Sequence, residues 1–166
     1  MANNLPSVPG KKGFKVSAGL LLFRRSGTSL EVLLVHPGGP FFSKRDEGAW
    51  SIPKGEALPG EDLLTRAKIE FQEELGIPAT GRFLPLGWIT RKGGKTVHAW
   101  AVEGDLPADF RLASNTFELE WPPHSGRRQM FPEVDRAEFF SGETARRKIN
   151  AAQVELLERL TRLLSQ

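Results

Sequence analysis

Residues 55–77, GEALPGEDLLTRAKIEFQEELGI, carry six acidic side chains (Glu56, Glu61, Asp62, Glu70, Glu73, Glu74) against two basic ones (Arg66, Lys68). The whole chain has a formal charge of +3, so this stretch runs against the rest of the molecule. Like charges three or four residues apart on a helix repel, and crowding of this kind is not selected for stability. A bound divalent cation removes the repulsion and uses the carboxylates as oxygen ligands. A solvated acidic helix face is the plain alternative for the three carboxylates alone.

The spacing predicts a helix over 62–75. Leu64, Ala67, Phe71 and Leu75 recur at steps of three and four and form its apolar stripe. Glu70, Glu73 and Glu74 follow an i, i+3, i+4 pattern on a neighbouring face, where they are expected to converge. Gly76 is placed to stop the helix, and Pro59-Gly60 to turn the chain before it.

Read in full, the pattern is Gly55, five residues, Glu61, eight residues, Glu70, an apolar Phe71, one residue, Glu73-Glu74, one residue, Gly76 and apolar Ile77. This resembles the Nudix box, whose fixed positions are all matched except one: the family's Arg is Ile69 here. The resemblance implies an α/β fold, the Nudix α/β/α sandwich with a mixed β-sheet between helices. It implies Mg²⁺, or Mn²⁺, as cofactor. Glu70, Glu73 and Glu74 would be the catalytic metal ligands, the main-chain carbonyl of Gly55 a further ligand, and Glu61 a supporting acid. Ile69 neither donates a hydrogen bond nor carries charge. Arg66, one turn before Glu70 on the carboxylate face, is the candidate to take over part of the lost role.

The implied activity is Mg²⁺-dependent cleavage of a diphosphate linkage in a nucleoside diphosphate-linked substrate. A dinucleoside polyphosphate or a nucleoside triphosphate is favoured, because Ser51-Ile52-Pro53-Lys54-Gly55 looks like the Pro-Lys-Gly approach of family members that handle dinucleoside polyphosphates or inositol pyrophosphates and no extra substrate domain is visible; ADP-ribose, sugar nucleotides, inositol pyrophosphates and capped RNA 5′ ends stay open. The alternative is a catalytically weak or silent Nudix-fold module that binds a nucleotide or a partner, for which Ile69 is the support.

The expected partner is a phosphate-rich small molecule, not a membrane, and not nucleic acid, which would call for a larger basic surface and salt-dependent affinity. No apolar run approaches the roughly 20 residues that span a bilayer, and there are no cysteines. A cytoplasmic location is the expectation. Residues 1–13 read as a flexible leader and 14–166 as a single Nudix domain; the oligomeric state stays open. Strands are expected over 15–24, 30–36, 81–91, 95–103 and 134–139, with at most a short one over 117–121. Helices are expected over 142–149 and 151–164. The Gly/Pro-rich loop over 37–48 is expected to be exposed and mobile.

Around the site, Lys54 is a candidate phosphate contact acting as a point charge. Arg91, Lys92 and Lys95, or Arg127 and Arg128, are candidates for outer phosphates. Trp50 and Trp121, beside loops, are candidates to stack on a base, whereas Trp88 and Trp100 are expected to fill the core. His98 reads as a packing residue, and His124 as a candidate base or nucleobase contact. Glu118, Glu120 and Glu133 are equal candidates for an extra glutamate outside the box.

Overall fold

The structure, a computed structural model, describes residues 15–166; the expected leader over 1–13 lies outside the described residues. The elements run β1 (Val16–Ser26), β2 (Ser29–Pro37), β3 (Lys54–Glu56), α1 (Leu63–Leu75), β4 (Phe83–Thr90) and β5 (Thr96–Glu103). They continue with β6 (Thr116–Glu120), β7 (Arg128–Pro132), β8 (Val134–Ser141), α2 (Gly142–Lys148) and α3 (Val154–Leu164). The main sheet has the order β4-β5-β1-β2-β8, with β3 added beside β1, and β6-β7 form a separate ribbon. β1 pairs in parallel with β5, while its pairings with β2 and β3 are antiparallel, so the sheet is mixed.

The unbroken apolar run 18–23 in β1 follows from burial on both sheet faces. Ala18, Leu20 and Leu22 pack on one face with Leu63, Ala67, Phe71 and Leu75 of α1. Leu21 and Phe23 pack on the other with Ala145 of α2 and Leu156, Leu157 and Leu160 of α3. Two cores on opposite faces make this the expected α/β/α sandwich.

Several details differ from the sequence reading. Leu63, not Leu64, completes the buried stripe of α1, four residues before Ala67 and in line with Phe71 and Leu75; Asp62 is the N-cap. Leu64 is only partly buried. Lys54–Glu56 pairs with β1 as a strand. β7 was not anticipated; it forms because β6 and β7 need only each other, residue for residue from Thr116↔Pro132 to Glu120↔Arg128.

The loop after β2 is exposed as expected, yet fastened along its length. Gly38 N–H donates to Glu133 O at 2.9 Å, and Gly48 N–H to Arg147 O at 3.0 Å. The buried His36 ring lies 2.7 Å from Asp135 Oδ1 and 2.6 Å from the carbonyl of Arg45.

Two tryptophan assignments reverse. Trp50 is 1% exposed. Its Nε1–H donates to Asp46 at 2.9 Å, and its ring meets His36 and Phe140 edge-on. Arg136 covers the ring at 5.0 Å, so a base finds no free face there and Trp50 is a core residue. Trp88, expected inside, is 41% exposed on the edge strand β4.

Candidate active site

The site is built where β1 and β2 part. The segment 51–56 fills that gap. Ser51 bridges to Val35 of β2, and Leu20 N–H of β1 donates to Pro53 O at 3.1 Å. A Cβ at Gly19 would collide with Pro53 O, so a bare residue is required for this close approach. Gln153, itself buried, accepts from Ile52 N–H at 3.0 Å and donates from Nε2 to Ser51 Oγ at 3.0 Å. The result is a rigid backbone that presents Lys54 and Gly55 to α1.

Asp62 caps α1 by accepting from Thr65 N–H at 3.0 Å, and Gly76 ends it in the left-handed region at φ 83°. Between these caps the helix face carries the box acids. Gly55 lies directly under Glu70: a Cβ added at position 55 would fall on the Glu70 carboxylate. Gly55→Ala is therefore expected to displace Glu70, lower stability by about 1–3 kcal/mol and abolish turnover. Thermal melts together with an activity assay check this.

Glu74 is 9% exposed, and one of its oxygens accepts from Lys54 N–H at 3.2 Å. Burial, reinforced by the neighbouring Glu70, pushes its carboxyl up to about 8, against the opposing pull of Lys54. Glu70 is raised by burial and then by Glu73, with Arg66 opposing. The Lys54 ammonium is lowered by burial and then by Arg91, with Lys95 adding to the effect and Glu74 opposing it. Lys54 thus stands between a carboxylate site and a small cluster of cations contributed by the β4–β5 turn.

Arg66 is the cation on the acidic face. Its Nε–H and Nη2–H donate to both oxygens of Glu61 at 2.8 and 2.7 Å, and Nη1–H donates to Glu70 at 3.2 Å. The paired bond lowers Glu61 and fixes the guanidinium plane. Ile69 is 36% exposed, so no loop covers it.

The three box carboxylates are brought to one region but not drawn onto one point. Among the described residues, no three histidine or acidic side chains converge closely enough to hold an ion. Glu70 is held by Arg66, Glu74 leans on the Lys54 amide, and Glu73 is half-buried.

Of the three outside glutamates, Glu133 is the one whose charge bears on both Glu70 and Glu74. Its N–H donates to Asn115 O at 2.8 Å, and Asn115 N–H donates to Glu73 O at 2.9 Å. Glu118 instead pairs with Arg128 at 3.7 Å, and Glu120 accepts from Gly126 N–H. Arg91, Lys92 and Lys95 line one cavity of about 320 Å³ with Asn150. Arg127 and Arg128 lie at the far turn of the ribbon. His98 is buried with no partner for Nε2, and burial lowers its imidazole. His124 is exposed in a turn at φ 61°.

The match to known proteins agrees with this architecture. The NUDIX domain model matches residues 13–160. An asymmetrical bis(5′-nucleosyl)-tetraphosphatase of Rattus norvegicus is 32% identical over 118 residues, 63% of this chain and 76% of the relative. Nudix hydrolase 7 of Arabidopsis thaliana is 34% identical over 73 residues, covering 44% of this chain and 24% of the relative. A binary complex of a C. elegans Ap4A hydrolase superposes with a TM-score of 0.64 at 23% identity, covering 90% and 98% of the two chains. The chain belongs to the Nudix family and is a hydrolase of the pyrophosphohydrolase class.

Proposed function

We propose that the protein cleaves a diphosphate linkage in a nucleotide substrate, a dinucleoside polyphosphate or a nucleoside triphosphate, with Mg²⁺ or Mn²⁺ as cofactor. The observation that carries this reading is the fit of Gly55 under Glu70. Bare main chain, the buried Glu74 and the partly buried Glu70 supply an all-oxygen donor set suited to a hard divalent cation. Gly55, Glu70, Glu73 and Glu74 would hold the ion. When bound, it would neutralise the diphosphate and make a water more acidic. Glu61 and Arg66 hold Glu70 in place, and Lys54, with Arg91 and Lys95 beside it, offsets charge on the phosphate chain. Of the glutamates outside the box, Glu133, whose charge bears on Glu70 and Glu74, is the one assigned as proton acceptor or further ligand. Similarity to the tetraphosphatases supports the substrate choice. Because Arg66 supplies the positive charge that Ile69 lacks, the catalytic reading is preferred to a silent binding module.

A panel of dinucleoside polyphosphates, nucleoside triphosphates, ADP-ribose and capped RNA, incubated with Mg²⁺ or Mn²⁺ and resolved by chromatography, tests the reading. Expected is metal-dependent release of a mononucleotide product from one of the first two groups. No product from any nucleotide would overturn it.

A further inference from the structure

The main chain that leads into the site is fastened by several elements in turn. Trp50 N–H donates to Lys148 O at 3.0 Å, and Asn150 N–H to Trp50 O at 2.7 Å. Ser51 exchanges both of its main-chain bonds with Val35 of β2. Pro53 O accepts from Leu20 N–H, and Lys54 N–H donates to Glu74. Between them, the N–H of the buried Ile52 is met by a side chain 101 residues away, that of Gln153, at 3.0 Å.

Gln153 stands at the N-cap of α3, where a side chain ordinarily accepts a bond from its own helix. Gln153 makes no such bond. The residue is 1% exposed, and its amide is turned to segment 51–52 instead. With Oε1 on Ile52 N–H, Nε2 donates to Ser51 Oγ at 3.0 Å, and Ser51 Oγ donates to Ile52 O at 2.7 Å. Both main-chain groups of Ile52 are therefore held by one closed relay. Such a relay specifies a single backbone position, and without Gln153 the Ile52 N–H is left buried and unpaired.

The groups that gain from this are two and three residues further on. Lys54 N–H reaches Glu74, and Gly55 lies under Glu70. Clearances there are small on both sides: neither Gly19 beside Pro53 O nor Gly55 below Glu70 has room for a Cβ. A binding constellation has to be held to within about 0.5 Å. The strand that carries Lys54 and Gly55 is only three residues long, so its position depends on what anchors the chain before it.

We propose that Gln153 is a positioning residue of the active site. It sets where the Lys54 N–H and the Gly55 carbonyl stand against Glu70 and Glu74, and thereby the affinity for a divalent cation. This rests on the hydrolase reading above and extends its site to the start of α3. Gln153 acts through the main chain of 52–55 and contributes no ligand itself.

The test is calorimetric binding of Mn²⁺ to the full chain, paired with amide hydrogen exchange on the metal-free protein. Wild type, Gln153→Met, Gln153→Glu, Ser51→Ala and Leu160→Val are compared, with thermal melting to verify folding. Gln153→Met keeps the length and loses the bonds, so Mn²⁺ should bind about ten-fold more weakly. Exchange at the Ile52 and Lys54 amides should quicken by a similar factor. Gln153→Glu keeps the acceptor for Ile52 N–H and should bind close to wild type. Ser51→Ala takes one partner from the same relay and should weaken Mn²⁺ about three-fold, which keeps the prediction readable if Gln153→Met fails to fold. Leu160→Val trims the core under α3 without touching the relay and should leave Mn²⁺ affinity unchanged. Wild-type affinity in both Gln153→Met and Ser51→Ala would overturn the proposal, as would an equal loss in Leu160→Val. In either case Mn²⁺ binding by the wild type leaves the hydrolase reading standing. A wild type that binds no Mn²⁺ removes that reading and the role in cation affinity together, and faster exchange in Gln153→Met then leaves Gln153 only as an anchor of the backbone.

Discussion

Glu73→Gln and Glu74→Gln are each expected to lower hydrolysis by about two to four orders of magnitude without unfolding the protein. Glutamine keeps the shape and loses the charge that a divalent ion requires. Glu73 is half-buried, and glutamine matches its size, so the replacement leaves the packing in place. Glu74 is buried, and there the effect on stability has a definite sign. Its folded carboxyl sits at about 8, well above the usual carboxylate range. Between about pH 4.5 and 8 the folded, metal-free protein keeps a proton that the unfolded chain has released. Stability therefore falls as pH rises through that window, by at most about 5 kcal/mol in total. Glu74→Gln removes this slope and should raise the melting temperature at pH 8 in the presence of a chelator. Melts across pH 4–9 and single-turnover rates on the active substrate check both halves. Unchanged rates in both variants would contradict the assigned roles.

Removing the guanidinium at position 66 should cost about ten- to a hundred-fold in activity, the usual penalty for losing a partner that orients a ligand. Arg66→Ala frees Glu61 and Glu70 together, because one side chain bridges both. Arg66→Lys keeps the charge but cannot reproduce the two-pronged bond to Glu61, so it should recover only part of the loss. A metal-activation curve separates this from general damage: the half-activating Mg²⁺ concentration should rise in the order wild type, lysine, alanine. Equal activity in all three would remove Arg66 from the site.

Much of the architecture was readable because it rests on periodicity. Apolar runs such as 18–23 announce strands buried on both faces, and the steps of α1 announce its buried side to within one residue. Helical spacing places Glu70, Glu73 and Glu74 on one side of α1, and it was the full pattern from Gly55 to Ile77 that made them resemble the Nudix box. What escaped depends on tertiary contact. Trp50 lies beside a loop in the sequence, yet that loop folds back and its Asp46 ties the indole down. Glu133 could not be told from Glu118 and Glu120 until the ribbon's pairing and the bond through Asn115 placed it by α1. β7 carries a charged and apolar mixture, RQMFP, whose only visible cue is its reach between two turns. Arg66 was visible by its i, i+4 relation to Glu70, but its paired bond to Glu61 needed the turn at 58–61.

Calorimetric titration of Mn²⁺ into the metal-free protein, in two buffers of different ionisation heat, tests the core of this picture most directly. At pH 7 the Glu74 carboxyl, at about 8, starts mostly protonated, so binding should release close to one proton and tighten as pH rises toward 9. Single-site binding with that proton release, weakened at least ten-fold in Glu70→Gln and Glu74→Gln, is the predicted result. Mn²⁺ heats identical in wild type and both variants, or no binding at any pH, would contradict it.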